Sequence, residues 1–325
     1  DPEAVVYVPV RRVNGGYVIP AQRPAGPVVE QDGVMVTRLY GTLLGSDYLR
    51  DPVMGLVDGL PAEWLRRELG LRGPALTISN ACTSGADAIG IALWWIRRGL
   101  CDIAIAGGAD EMNQVPYDGF NALGVCSSER CRPFDARRAG LNLGEGAGVV
   151  ILESKTHGLR RSAPCRWEAA GFGKAADAFH ITQPAPDGAG LERAIRLALD
   201  DAGMTPEAVA FVNAHGTGTE ANDRVESATL LRLFGPELAY MSTKGKTGHT
   251  LGAAGALEFI FTALMLERRM ACASAGYELA SADIPLAPLS ADRKLDRFGA
   301  LSTSLAFGGS NSALAVRFLP QGWAD

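Results

Sequence analysis

Leu76-Thr-Ile-Ser-Asn-Ala-Cys82-Thr-Ser-Gly-Ala-Asp-Ala-Ile-Gly-Ile-Ala-Leu-Trp-Trp95 is the most clearly patterned stretch of the chain. An apolar, β-branched run gives way to a sharp Cys-Thr-Ser-Gly turn, and apolar residues then recur at helical spacing. The pattern predicts a strand ending just ahead of Cys82 and a helix over about Ser84–Arg98. Ile89, Ala92, Leu93 and Ile96 belong to a face so broad that the helix is buried on most sides. Arg97-Arg98-Gly99 ends it with a basic last turn and a glycine stop. Cys101–Ala106 reads as a short buried strand leading into Gly107-Gly108, and Asn142–Gly148 introduces a strand at Val149–Leu152.

The second half of the chain repeats this grammar. Strands are predicted at Trp167–Phe172, Val209–Asn213 and Met241–Thr243, and helices over Gly188–Ala202, Ala221–Phe234 and Ala253–Glu267. Leu301–Leu305 and Ala313–Phe318 close the chain as strands, with Phe307-Gly-Gly309 between them. Strand, helix and strand at these lengths predict a parallel sheet with crossover helices. Two halves of similar order, residues 1–157 and 165–325 with a break near His157–Cys165, suggest an internal duplication. The first 74 residues are less patterned. Ala4–Val10 and Gly33–Leu39 read as strands, and Asn14-Gly15-Gly16 as a turn. Pro20, Pro24 and Pro27 suit a surface connection, and Pro61 opens a helix with Trp64, Leu65 and Leu69 on one side.

Composition narrows the class. With 325 residues and 47% hydrophobic content, the chain can bury a large core. It has no apolar run long enough to span a bilayer and no signal segment at its start. The six cysteines form no CxxC pair, which disfavours a disulfide scaffold or a zinc site and fits a reducing cytoplasm. A net charge of −5 argues against nucleic-acid or membrane-surface partners.

Candidate chemistry gathers in glycine-rich turns after short strands, where the sites of α/β sheets form. A cysteine at a strand-to-helix turn, as Cys82 is, meets backbone N–H groups and a helix dipole that lower a thiol pKa and can cradle an oxyanion. A packed cysteine is the bland alternative. Two of the four histidines, His215 and His249, occupy matching loops, Asn213-Ala-His-Gly-Thr-Gly-Thr219 and Ser242-Thr-Lys-Gly-Lys-Thr-Gly-His249. His157 and His180 lack such surroundings. Gly245-Lys-Thr247 is not a phosphate loop, because Tyr240 stands where the first glycine of that motif is needed. No GxSxG elbow marks the candidate turns.

Together, Asn80-Ala-Cys-Thr-Ser-Gly85, the two histidine loops and Phe307-Gly-Gly-Ser-Asn311 resemble a β-ketoacyl-acyl-carrier-protein synthase of the elongating Cys-His-His type, in the thiolase superfamily. Gly107-Gly-Ala-Asp-Glu111, Arg132-Pro-Phe-Asp135 and Leu143-Gly-Glu-Gly-Ala-Gly148 fall where that family has counterparts. The resemblance implies duplicated α/β halves in a layered α-β-α-β-α arrangement. It makes Cys82 the acyl-accepting nucleophile, with His215 and His249 decarboxylating a malonyl thioester. Lys244 and Glu258 would be a buried ordering pair, and the N–H groups of Cys82 and Phe307 an oxyanion hole. Thr217 and Thr219 would bind the pantetheine arm, Phe307 would act as a gate, and Phe120 would line the acyl channel. Asp223 and Glu226 would be structural. It implies an acyl carrier protein as partner, malonyl and acyl thioesters as substrates, and a homodimer or heterodimer. No metal or cofactor is implied beyond the phosphopantetheine of the carrier.

The sequence departs from the family at two points. Only 81 residues precede Cys82, about half of what the family carries, so the first half reads as shortened. Ala306 stands where a glycine precedes the gating phenylalanine, which predicts a stiffer hinge. A non-elongating subunit resembling a chain length factor is the alternative, disfavoured by the intact Cys82, His215 and His249. The arginines at 130, 132, 137 and 138 read as a solvated face or a carrier-protein patch.

Overall fold

The computed structural model describes residues 3–7, 11–13, 16–18 and 60–322. The predicted strand at Gly33–Leu39 and the proline-rich connection before it lie outside the described residues. The chain forms two compact units, one of residues 9–79 and one of residues 1–8 with 80–325. In the smaller unit, β2 (Arg11–Val13) and β3 (Gly16–Val18) form an antiparallel hairpin, and α1 (Leu60–Glu68) is the helix predicted from Pro61. Trp64 and Leu65 are partly covered, whereas Leu69 is exposed.

The larger unit is built on β1 (Glu3–Tyr7), β4 (Ile103–Asp110), β5 (Gly146–Ser154), β6 (Trp167–Ala176), β7 (Val209–Asn213), β8 (Tyr240–Met241), β11 (Gly299–Ala306) and β12 (Ser310–Phe318). They order as β4-β5-β1-β6-β12-β11-β7-β8. The expected parallel sheet is in fact mixed: among the described strands only β11–β7 and β7–β8 run parallel. β4 and β5 pair antiparallel because their connection returns without a full crossover. β1 meets β6 through the single pair Ala4↔Glu168, where the two halves join. A two-stranded ribbon, β9 (Met270–Ala271) with β10 (Arg293–Lys294), stands apart.

The helix predicted after Cys82 forms as α2 (Ser84–Arg97), with Ile89, Ala92, Leu93 and Ile96 buried. Further on come α3 (Gln114–Ala122), α4 (Lys155–Arg160), α5 (Ala189–Ala202), α6 (Glu220–Phe234), the single turn α7 (Lys244–Thr247) and α8 (Ala254–Glu267). α5 is amphipathic and lays Leu191, Ala194, Ile195, Ala198 and Leu199 onto β6 and β12. Gly173 of β6 allows that contact, since a Cβ there would stand 2.0 Å from the Ala194 carbonyl. α2 and α8 lie side by side and touch strands of both halves, the layering of the thiolase fold.

Two local expectations fail. Residues 75–79 form no strand; an isolated Asn80↔Cys82 bridge marks the turn, since no strand among the described residues pairs with that run. β4 is not buried: Ile103 is 45% and Ile105 38% exposed, because among the described residues β4 is bonded only to β5.

Candidate active site

Three loops converge where α2 and α8 begin. Cys82 sits two residues ahead of α2, after Ala81, whose φ of 47° is in the left-handed region that a non-glycine residue adopts at a cost. The turn is held by local bonds. Ser84 Oγ donates to the Ala81 carbonyl and accepts from the Asn80 N–H. The buried Sγ of Cys82 lies 3.1 Å from His249 Nε2, and the Phe307 N–H points at the same sulfur.

His249 follows α7, and its N–H donates to the Asn142 carbonyl. His215 follows β7. The buried Glu226 carboxylate accepts the N–H groups of His215 and Gly216 and the hydroxyl of Thr303. Asp223 accepts those of Phe134 and Gly218. These two carboxylates fix the His215 loop, the structural role expected for them. The two imidazole rings meet edge to face, centroids 5.1 Å apart.

Lys244, from the start of α7, is buried and fully engaged. Its ammonium pairs with Glu258 of α8, donates to the His215 carbonyl at 2.6 Å and lies 3.2 Å from His215 Nδ1. An ammonium has only protons to offer, so Nδ1 accepts and the ring proton sits on Nε2. Burial first, and then the Lys244 charge, hold both histidines well below the usual imidazole range, so both rings are neutral. Burial pushes Glu258 up to about 7 against the pull of Lys244, and Asp223 up to about 7 as well.

The thiol corrects one expectation. A lowered pKa was predicted from the helix start; burial instead pushes Cys82 up to about 12, with Lys244 and the Phe307 N–H opposing. A dipole worth fractions of a kcal/mol to about 2 loses to complete desolvation. The resting pair is therefore thiol and neutral imidazole, and Nε2 of His249 is placed to take the proton as the sulfur attacks.

The remaining predicted residues surround this centre. The Phe120 ring stacks on Phe307 with centroids 5.3 Å apart and lies 6.5 Å from the His249 ring. Thr217 is buried and shares a 2.8 Å hydroxyl contact with Thr219. Ala306 ends β11, ahead of a turn whose Gly308 and Gly309 take φ of 85° and 76°. The four arginines do not form a free basic face. Arg137 and Arg132 meet Glu278, the buried Arg138 meets Asp283, and Arg130 donates to the Gly245 carbonyl. An open cleft of about 390 Å³ between Arg130, Asn142 and Lys244–Gly248 lies beside them.

Sequence reading gave no role to Asn80 and Ser310, although both stand in its motifs, and missed Asp87, Lys174 and Ser312. Among these three, Asp87 gave a signal, an acid in the first turn of a mostly apolar helix.

Two family models match the chain. The β-ketoacyl synthase N-terminal domain matches residues 50–158 and the C-terminal domain residues 168–278. Nodulation protein E of Rhizobium meliloti (strain 1021) is 37% identical over 288 residues, 86% of this chain and 71% of that protein. A 3-oxoacyl-[acyl-carrier-protein] synthase 2 of the same organism is 40% identical over 260 residues, 76% of this chain and 61% of that one. A solved ketosynthase in complex with its chain length factor, from Xenorhabdus doucetiae, aligns with a TM-score of 0.73 at 37% identity, covering 80% of this chain and 64% of that chain. The chain thus spans roughly two thirds of the length of its relatives. With both domain models matched in order and the thiol and two imidazoles gathered at one point, the chain belongs to the β-ketoacyl synthase family of the thiolase superfamily.

Proposed function

We propose that this chain is an elongating ketosynthase that joins a carrier-bound acyl chain to a malonyl unit. The observation that carries the reading is the 3.1 Å contact between Cys82 Sγ and His249 Nε2, beside a neutral His215 whose ring packs edge to face on that of His249. In the first step the sulfur attacks the acyl thioester carbonyl and the pantetheine C–S bond breaks. The thiol proton passes through His249 to the departing pantetheine thiolate. In the second, the C–CO2 bond of the malonyl thioester breaks, and the Nε2–H of His215 supports the enolate oxygen. The carbanion forms the new C–C bond at the acyl carbon, and Cys82 leaves as thiolate and takes a proton from solvent. The N–H groups of Cys82 and Phe307 hold the oxyanion. Thr217 and Thr219 meet the pantetheine arm, and Phe120 with Phe307 closes over the acyl carbon.

In this reading pantetheine enters only as part of the carrier protein, and no metal or redox cofactor takes part. Incubation with acyl- and malonyl-carrier proteins, followed by intact-protein mass measurement, tests it. An acyl adduct is expected on the native protein and none on Cys82→Ala; an adduct that survives the substitution overturns the reading. A second reading, a subunit of the chain-length-factor type, is supported by the heterodimeric ketosynthase among the solved relatives. It predicts co-purification with a second ketosynthase and no acyl adduct on this chain.

A further inference from the structure

From the polar contacts behind the nucleophile turn, we infer that Asp87 and Lys174 are positioning residues that lock the Cys82 turn to the Phe307 turn. The inference deepens the acyl-transfer reading. The two proposed oxyanion donors come from opposite halves of the chain: the Cys82 N–H from the turn before α2, the Phe307 N–H from the turn between β11 and β12. Something must hold them in register, and one buried carboxylate reaches both sides.

Asp87 is 1% exposed, on the first turn of α2. Its Oδ2 accepts the Asn80 amide at 2.6 Å and the Thr83 hydroxyl at 3.1 Å, so it grips both flanks of Cys82. Its Oδ1 accepts the Ser312 hydroxyl of β12. The Asn80 amide also donates to Ser310 Oγ at 2.9 Å, three residues after Phe307. Lys174 of β6 completes the set with an ion pair to Oδ2; its side chain is 41% exposed, so the ammonium neutralises the buried carboxylate from the solvent side. A buried charge needs such a partner together with hydrogen bonds to its remaining lone pairs, and Asp87 has both. The network also bears on Ala81, whose positive φ persists only where its surroundings over-determine it. An apolar residue at 87 would fill the space and leave Asn80, Thr83 and Ser312 without their common acceptor.

The test reads Cys82 directly and needs no substrate: the rate at which iodoacetamide alkylates Cys82, followed by peptide mass, beside a thermal melt of each variant. Asp87→Asn and Lys174→Met are each expected to slow alkylation about tenfold, because sub-ångström displacement of the sulfur from His249 Nε2 takes away the base that accepts the thiol proton during attack. Lys174→Arg restores the rate to within about twofold, as the charge is kept. The double variant is no slower than Asp87→Asn alone, because the two residues act as one unit. Should Asp87→Asn fail to fold, Lys174→Met and Lys174→Arg carry the comparison, since Lys174 is at the surface. Alkylation at the native rate in Lys174→Met, or equal slowing in Lys174→Met and Lys174→Arg, overturns the proposal. Where carrier substrates do acylate the native protein, kcat falls in Lys174→Met with KM unchanged. A native protein that is never acylated overturns the acyl-transfer reading and leaves the alkylation result standing by itself.

Discussion

The two halves of the larger unit are built alike and finished differently. β1-β5-β4 in the first mirrors β6-β12-β11 in the second, and each half sends a helix from a glycine-rich loop into the centre, α2 in one and α8 in the other. The second half continues with β7 and β8 beyond β11 and is covered by α5, so its core is closed. Among the described residues the first half stops at β4, where Ile103 and Ile105 are exposed and α3 has no buried residue. A shared plan puts the two loops face to face. The closed half then supplies the groups that need a dry setting, two neutral imidazoles and a buried ion pair, while the open half supplies the nucleophile.

The comparison breaks first at the chemistry. Cys82→Ala is expected to abolish the acyl adduct, and His249→Ala to slow its formation by about 10²–10⁴-fold, both followed by intact mass. If His249→Ala acylates at the native rate, the closed half does not serve the open one. Next comes the ion pair. Lys244→Met strands Glu258 in the core and should cost about 3–5 kcal/mol in urea unfolding, while Glu258→Gln with Lys244→Met recovers part of the loss.

The closed half also predicts a pH dependence. Asp223 and Glu258 hold their protons up to about 7 in the fold but only to about 4 when unfolded. Between those values the unfolded state binds fewer protons, so stability is greatest at the acid end of the window and falls as pH rises through 7. His215 and His249, neutral in the fold but titrating at about 6.5 when unfolded, oppose this slope at lower pH. Melting temperature should therefore drop on going from about pH 6.5 to about pH 7.5, and Asp223→Asn should flatten that drop. A smaller effect is expected where the halves touch. A Cβ on Gly85 would stand 2.8 Å from the Gly252 carbonyl and 2.9 Å from the Ala256 nitrogen. Gly85→Ala should therefore cost about 1–3 kcal/mol and lower acylation, both absent if the helices simply slide apart. The smallest effect belongs to the open half: Val115, 81% exposed on α3, should tolerate alanine within about 0.5 kcal/mol by the same urea assay.

Much of this was legible in the residues themselves. The apolar periodicity of α2 and α8 is local, and so are the glycine-rich loops with Cys82, His215 and His249, so spacing and motif order find them. The thiol's raised pKa was not legible, because the groups packed against the sulfur, His249 and Phe307, come from loops of the other half and not from the turn that carries the cysteine. Nor was the mixed sheet, since nothing between β4 and β5 announces an antiparallel return. Asp87 and Lys174 lie 87 residues apart and look like ordinary charges until β6 and α2 are side by side. The arginines read as a patch because the acids that claim them, Glu278 and Asp283, arrive from a distant loop.

Gly85 and Gly255 have a consequence for how this protein fails. Cβ atoms at these positions would overlap the opposing helix, at Ala256 and Ala86 respectively, so the spacing between sulfur and imidazole rests first on the contact of two central helices, and the Asp87 network holds the Cys82 turn on that frame. Partial opening at the centre of the molecule would separate them at once. Heat or denaturant should accordingly extinguish acyl transfer at Cys82 and cooperative core structure together, in one transition, with no inactive but folded species between them.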